Sequence, residues 1–214
     1  MKITPEKCTI RPIVSTDDPA WLEWHEIYTY SFPADERVPE AYFLNVFEQM
    51  LLGEAVFEQV LVMEEQPASV TNGRTQVVAI AFIEQVPTHG LCFLWYLATS
   101  TAVRSQGHGT QFYHWILDQF KANKQLKQML FEVEIPETAD EPDLAARRIN
   151  WYRRLGAQLV LGINYRQFIS PDIPPKEMFL MVHPLDSIES ANVFASAKAY
   201  FGEYIEQRGP LALA

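Results

Sequence analysis

Nine consecutive uncharged residues, Leu91 to Thr99, stand just before a turn that carries Gly107 and Gly109. No other stretch limits the fold so tightly. An uncharged run of that length, bounded by polar turns, reads as a strand buried on both faces. Beyond the glycines, Phe112, Trp115, Ile116 and Phe120 fall on one face of a helix. The local order is therefore strand, glycine-bearing turn, helix. A helix start leaves backbone N–H groups without intrahelical partners and carries partial positive charge. Glycine there lets an anion reach the backbone with no Cβ in the way. The local physics describes a phosphate or pyrophosphate site. The plain alternative is a tight turn that needs glycine for its shape. The P-loop lysine and the third glycine of the dinucleotide fingerprint are both absent.

The remaining chain reads as alternating strands and helices. Cys8 to Val14 is a first strand. Asp17 or Asp18 caps a helix with Pro19 in its first turn, and Trp21, Trp24, Tyr28 and Phe32 share one face. A charged loop bracketed by prolines, Ser31 to Pro39, leads to a helix over Glu40 to Leu52. Strands follow at Val56–Met63 and Val77–Val86, joined through Asn72-Gly73, a hairpin signal. Together with the central strand they imply an antiparallel meander. After the central helix comes a strand at Met129–Ile135. A helix carrying Ala145, Ile149, Tyr152 and Leu155 on one face is closed by Gly156. Strands at Ala157–Tyr165 and Glu177–His183 complete the set. From Ile188 to Tyr204 helical spacing returns, and the tail after Gly209 reads as loose. The expected fold class is α/β (mixed α+β): a single sheet of about seven strands flanked by helices, with an extra C-terminal helix. The expected organisation is a domain over residues 1–185 and a helical extension over 186–214, packed on that domain.

Composition removes several function classes. The net charge of −10 argues against nucleic acid, whose partners show basic patches. No apolar run is long enough to cross a bilayer, and the N-terminus is too polar for a signal peptide. Cys8 and Cys92 are too few for a disulfide scaffold and read as reduced and buried, in a cytoplasmic protein. His25, His89, His114 and His183 show no metal-ligand spacing, and no metal is expected.

Four side chains outside the turn are candidates for chemistry. Glu132 and Glu134 share one face of their strand. They either solvate that face or draw a proton from an ammonium substrate; Glu84 is a weaker candidate of the same kind. Tyr152 reads as a core tyrosine by its periodicity.

The string Arg104-Ser105-Gln106-Gly107-His108-Gly109 fits R/Q-x-x-G-x-G/A, five residues beyond Thr99. With the strand FEVEIP (131–136) and YRRLGA (152–157) closing the next helix, it resembles the GCN5-related N-acetyltransferase (GNAT) family over roughly Cys8 to His183. The resemblance implies a splayed mixed sheet that binds acetyl-CoA. Backbone at Leu97, Ala98 and Thr99 would take the pantetheine arm like an added strand and supply an oxyanion donor. Arg104, Ser105, Gln106, Gly107, His108, Gly109 and Thr110 would hold the pyrophosphate, with only the backbone of His108 engaged. Tyr152 would act as general acid to the departing thiolate. The family often has an asparagine seven residues before that tyrosine; here the position is Ala145. Thr99 stands where valine is commoner.

The expected function is thus an acetyl-CoA-dependent N-acetyltransferase. It moves an acetyl group to a primary amine by direct attack in a ternary complex. The acceptor is a small-molecule or peptide amine, with the acidic loop Ser31–Pro39 as its lip. The alternative is a catalytically inactive CoA-binding or sensing module of the same fold. A phosphate-loop nucleotide enzyme is disfavoured by the absent lysine. No nucleic-acid or membrane partner is expected, and a homodimer through the C-terminal helix is compatible with the sequence.

Overall fold

The computed structural model describes residues 8–54, 57–66, 75–136 and 143–214. The first elements are β1 (Cys8–Ile13), α1 (Trp21–Ser31), α2 (Glu40–Leu51), β2 (Glu58–Glu65) and β3 (Gln76–Val86). β4 (Leu91–Thr99), α3 (His108–Ala122), β5 (Gln128–Glu134) and α4 (Leu144–Arg154) follow. The chain ends with β6 (Gln158–Gln167), β7 (Lys176–Pro184), α5 (Ser190–Phe201) and β8 (Ile205–Leu213). The strands form one eight-stranded mixed sheet in the order β1-β2-β3-β4-β5-β7-β6-β8. β4 and β5 are parallel, with Leu91, Cys92 and Phe93 opposite Gln128, Met129 and Leu130. β1/β2, β2/β3, β5/β7, β6/β7 and β6/β8 are antiparallel. The expected turn at Asn72-Gly73 lies outside the described residues. None of the described helices is long and apolar enough to cross a membrane.

The residues group into two compact units. One holds the described part of Met1–Glu84 with Trp95–Ile116; the other holds Gln85–Leu94 with Leu117–Ala214. The uncharged run behaves as expected only at its start. Leu91 to Leu94 are all buried, whereas Trp95 and Leu97 to Thr99 are half-buried.

The first unit is held by aromatic packing. Trp24 of α1 is fully buried, stacks on Trp21 at 5.4 Å and meets Phe43 of α2 edge-on at 5.1 Å. Its indole N–H donates to the Leu61 carbonyl at 2.9 Å, so burial strands no polar atom. The loop after α1 is pinned by two tyrosines. The Tyr28 hydroxyl donates to the Val38 carbonyl at 3.1 Å, and the Tyr96 hydroxyl to the Glu36 carbonyl at 2.8 Å. The Val38 N–H returns a bond to Tyr96 at 3.0 Å. Glu36 is consequently buried, while Asp35 of the same loop stays exposed.

α1 also starts later than its cap signal suggests. Ala20 is its N-cap, and no side chain caps the helix. Asp18 instead accepts the Ala20 N–H at 2.9 Å and pairs with the Arg11 guanidinium. That hydrogen bond from Arg11 holds the Asp18 carboxyl below its ordinary range.

The second unit corrects the reading of the C-terminus. The helix is present, but the tail beyond it is a strand rather than loose chain. β8 pairs with β6 from Ile205 opposite Tyr165 to Leu213 opposite Val160. Leu159 and Ala214 exchange both backbone bonds, at 2.7 and 3.1 Å. The sequence hid this strand because Gly209-Pro210 reads as a breaker, yet β8 ends the sheet order, where proline's missing N–H is tolerated. The pairing is irregular between Leu161 and Ile163. Gly162 sits there at φ +82°, and a Cβ would lie 2.2 Å from the Pro210 carbonyl oxygen. Gly162→Ala should therefore cost about 2–4 kcal/mol in urea unfolding, because strain and a backbone clash add. Gly53→Ala, at φ +73° with nothing within 4 Å, should cost only about 1 kcal/mol.

Candidate functional site

The candidate site begins where β4 ends. A short 3-10 turn, Thr101–Val103, tucks the Val103 side chain inward and leaves Arg104 to Gly107 exposed. The turn is anchored by the Ser100 N–H on the Val78 carbonyl, 2.9 Å. The chain then takes two left-handed residues within three positions, Ser105 at φ +66° and Gly107 at φ +94°. Among the described residues Ser105 is the one non-glycine with positive φ. Such a backbone stores on the order of 1 kcal/mol or more and recurs at ligand-binding turns. α3 begins at the next residue, His108, with the Gln111 N–H on the Gly107 carbonyl at 3.0 Å.

This turn suits an anion. Alternating left-handed backbone turns successive N–H groups toward one side, and the helix start adds its partial charge. A Cβ at Gly107 would meet nothing within 4 Å, so glycine is needed for φ, not for protein crowding. The space above it is open for a phosphate group. The ten residues expected to hold a cofactor thus form one continuous strand end, turn and helix start. Leu97, Ala98 and Thr99 are half-buried on β4; Arg104, Ser105, Gln106 and Gly107 are exposed; Gly109 and Thr110 are half-buried. A cleft of about 280 Å³ adjoins Thr99 and Thr101 and is bordered by Glu26, Ile27 and Tyr30 of α1. Sequence reading missed Glu26 and Tyr30, although both lie off the Trp21–Trp24–Tyr28 face, which was the available signal.

His108 turns its side chain away from the turn's exposed face. Its side chain is 7% exposed and points between Cys8 and Glu65. Cys8 is half-buried rather than buried. Nothing in sequence spacing signals this meeting, since Glu65 and His108 lie 57 and 100 positions from Cys8, on a separate strand and a helix.

The other candidates belong to the second unit. Tyr152 lies on the buried face of α4 with Ala145 and Ile149, its ring 4.3 Å from Phe131. Asp143 caps this helix, accepting from the Ala145 and Ala146 N–H groups. Burial pushes the Tyr152 hydroxyl up to about 12; Arg148 pulls it down and Glu134 pushes it up. Glu134 is ion-paired with Arg148. Glu132 accepts from the Tyr165 hydroxyl at 2.7 Å and from Gln167 Nε2 at 2.6 Å. The two carboxylates are thus ion-paired and hydrogen-bonded inside their unit, not merely solvated. Glu84, in the first unit, accepts from the Trp95 indole at 3.1 Å.

The likeness to known proteins lies in structure. No model of a known protein family matches the chain, and no curated protein does. Among solved structures, a Bacteroides thetaiotaomicron protein assigned to the GNAT acetyltransferases is 19% identical, with TM-score 0.67 over 92% of this chain and 98% of that one. The chain has the GNAT fold. A Salmonella typhimurium protein assigned as an acetyltransferase and solved with acetyl-CoA shares that fold at 20% identity, TM-score 0.52, over 86% and 96% of the two chains. Spermidine/spermine N-acetyltransferase of Vibrio cholerae shares it at 12% identity, TM-score 0.56, over 83% and 92%.

The tyrosine shift has a measurable consequence. A hydroxyl raised from 10.0 to about 12 in the folded state stabilises the fold fully below pH 10. That contribution is lost as pH rises from 10 through 12, because the unfolded chain releases its proton first. Thermal unfolding followed over this range should show a falling midpoint, and Tyr152→Phe should shallow the fall.

Proposed function

We propose that the protein is an acetyl-CoA-dependent N-acetyltransferase acting on a primary amine. The observation that carries this reading is the turn at Ser105–Gly107, with its paired left-handed residues, open space over Gly107 and helix start at His108. The backbone of Ser105 to Thr110 would hold the pyrophosphate, with Arg104 beside it as a cation. The edge of β4 at Leu97–Thr99 would receive the pantetheine arm and give an N–H to the oxyanion.

In this mechanism the free amine attacks the thioester carbonyl and forms the new C–N bond. The tetrahedral intermediate collapses, the C–S bond breaks, and CoA leaves as thiolate. Tyr152 stays protonated throughout the neutral range because burial holds it near 12. A thiol titrates at about 8.5, so full transfer from the phenol is uphill. Tyr152 therefore acts chiefly as a hydrogen-bond donor to the departing sulfur, with the proton supplied in the end by solvent. Glu132 or Glu134 would take the ammonium proton, directly or through water. The cleft beside Thr99, with the Glu26 carboxylate on its border, suits a cationic acceptor.

One observation favours a second reading, a CoA-binding module without turnover. Both candidate bases are already held, Glu132 by Tyr165 and Gln167 and Glu134 by Arg148. The two readings part on a simple pair of measurements. Calorimetric titration with acetyl-CoA should give micromolar binding that Gly107→Glu abolishes. Gly107→Ala, strained but uncharged, should keep binding within roughly tenfold. Binding without turnover on a broad amine panel would select the second reading, and no binding by the parent would remove both. If turnover is found, Tyr152→Phe should lower kcat by roughly 10–100-fold with little change in KM for acetyl-CoA.

A further inference from the structure

We propose that Cys8, Glu65 and His108 form a binding site for a zinc-type divalent transition-metal ion. The three side chains come from β1, the end of β2 and the first residue of α3. The Cys8 Sγ is 3.9 Å from His108 Nδ1 and 4.0 Å from Glu65 Oε1. His108 Nε2 is 3.9 Å from the same carboxylate oxygen. Each residue offers one ligand atom, and these atoms lie within 4.8 Å of one another.

Four features point to a metal. First, Glu65 and His108 are 4% and 7% exposed, so their donor atoms converge away from solvent. Second, His108 Nε2 is buried and has no hydrogen-bond partner among the described residues. A buried imidazole nitrogen left so is costly, and a metal ion is one of the few things that satisfies it. Third, thiolate, carboxylate and neutral imidazole carry two negative charges together, which a divalent cation balances in a buried place. Fourth, the donor set is sulfur, nitrogen and oxygen, which selects zinc, cobalt or a related ion over magnesium and calcium.

The geometry is close to what such an ion needs. Bonds of about 2.0–2.3 Å place tetrahedral ligand atoms about 3.4–3.6 Å apart. With one nitrogen taken from His108, the three ligand atoms lie within 4.8 Å of one another, up to about 1.2–1.4 Å wider than a bound ion requires, so side-chain rotation closes the site around the ion. Three protein ligands leave a fourth position for water.

A nucleophile–histidine–carboxylate relay fits less well. In a relay the imidazole stands between the other two groups, which then lie far apart. Here sulfur and carboxylate oxygen are as close to each other as either is to the ring. His108 directly follows Gly107, so a bound ion would tie the start of α3 and its turn to the first two strands. This inference does not rest on the acetyltransferase reading.

Cobalt titration of the reduced, tag-free, full-length protein tests it. The expected result is uptake of one ion per chain with a thiolate-to-cobalt charge-transfer band and the visible spectrum of a tetrahedral site. Zinc should displace cobalt, and calorimetry should give the same stoichiometry. Cys8→Ser should abolish the charge-transfer band and weaken zinc binding by roughly tenfold or more. His108→Gln should weaken it likewise, and Cys92→Ser should change neither. Absence of the band in the unaltered protein, or its persistence in Cys8→Ser, would overturn the proposal. So would zinc binding that all three variants leave intact. The spectrum of the unaltered protein decides even if His108→Gln fails to fold.

Discussion

The structure turns on how β4 gives way to α3. An uncharged strand must pass into a helix within eight residues, Ser100 to Gly107. The chain manages this with a 3-10 turn and two left-handed residues, one of which is a serine. Backbone N–H groups at that helix start have no intrahelical partner, and burying them would cost about as much as losing their hydrogen bonds. They are left at an exposed turn instead. Exposure of this kind is the physical requirement for anion recognition, and it comes with the strand-to-helix passage itself.

A second constraint is the need to satisfy polar atoms within an aromatic core. Trp24, Tyr28 and Tyr96 each carry a polar group into the interior of the first unit, and each places it on a backbone carbonyl. Two of those carbonyls belong to the loop between α1 and α2. The loop is thereby fixed by the core rather than by its own charges, and Glu36 turns inward with it. Reading charge in a loop as surface display fails when neighbouring hydroxyls capture its backbone.

The second unit handles its carboxylates by pairing. Glu132 and Glu134 project from a strand whose neighbours are largely buried. Each therefore holds a close partner: two neutral donors for Glu132, a guanidinium for Glu134. The same guanidinium, on Arg148, opposes the rise that burial imposes on Tyr152. Tyrosine, carboxylate and arginine thus form one electrostatic group on β5 and α4.

Local sequence determined the elements as far as α5, their alternation of strand and helix, and the glycine turn. Each of these follows from spacing along a few residues: the run Leu91–Thr99, the Phe112–Phe120 face, the left-handed need at Gly107. Tertiary structure alone decided three other matters. It made a strand of Ile205–Leu213, because an unpaired edge beside β6 supplies a ladder that Gly209-Pro210 conceals in the sequence. It buried Glu36 and engaged Glu132 and Glu134, because partners from distant segments set the cost of each charge. It also brought Cys8, Glu65 and His108 together from three elements. No periodicity encodes such a meeting, since it depends on strand register and on where a helix begins, and both are fixed only when the sheet has formed.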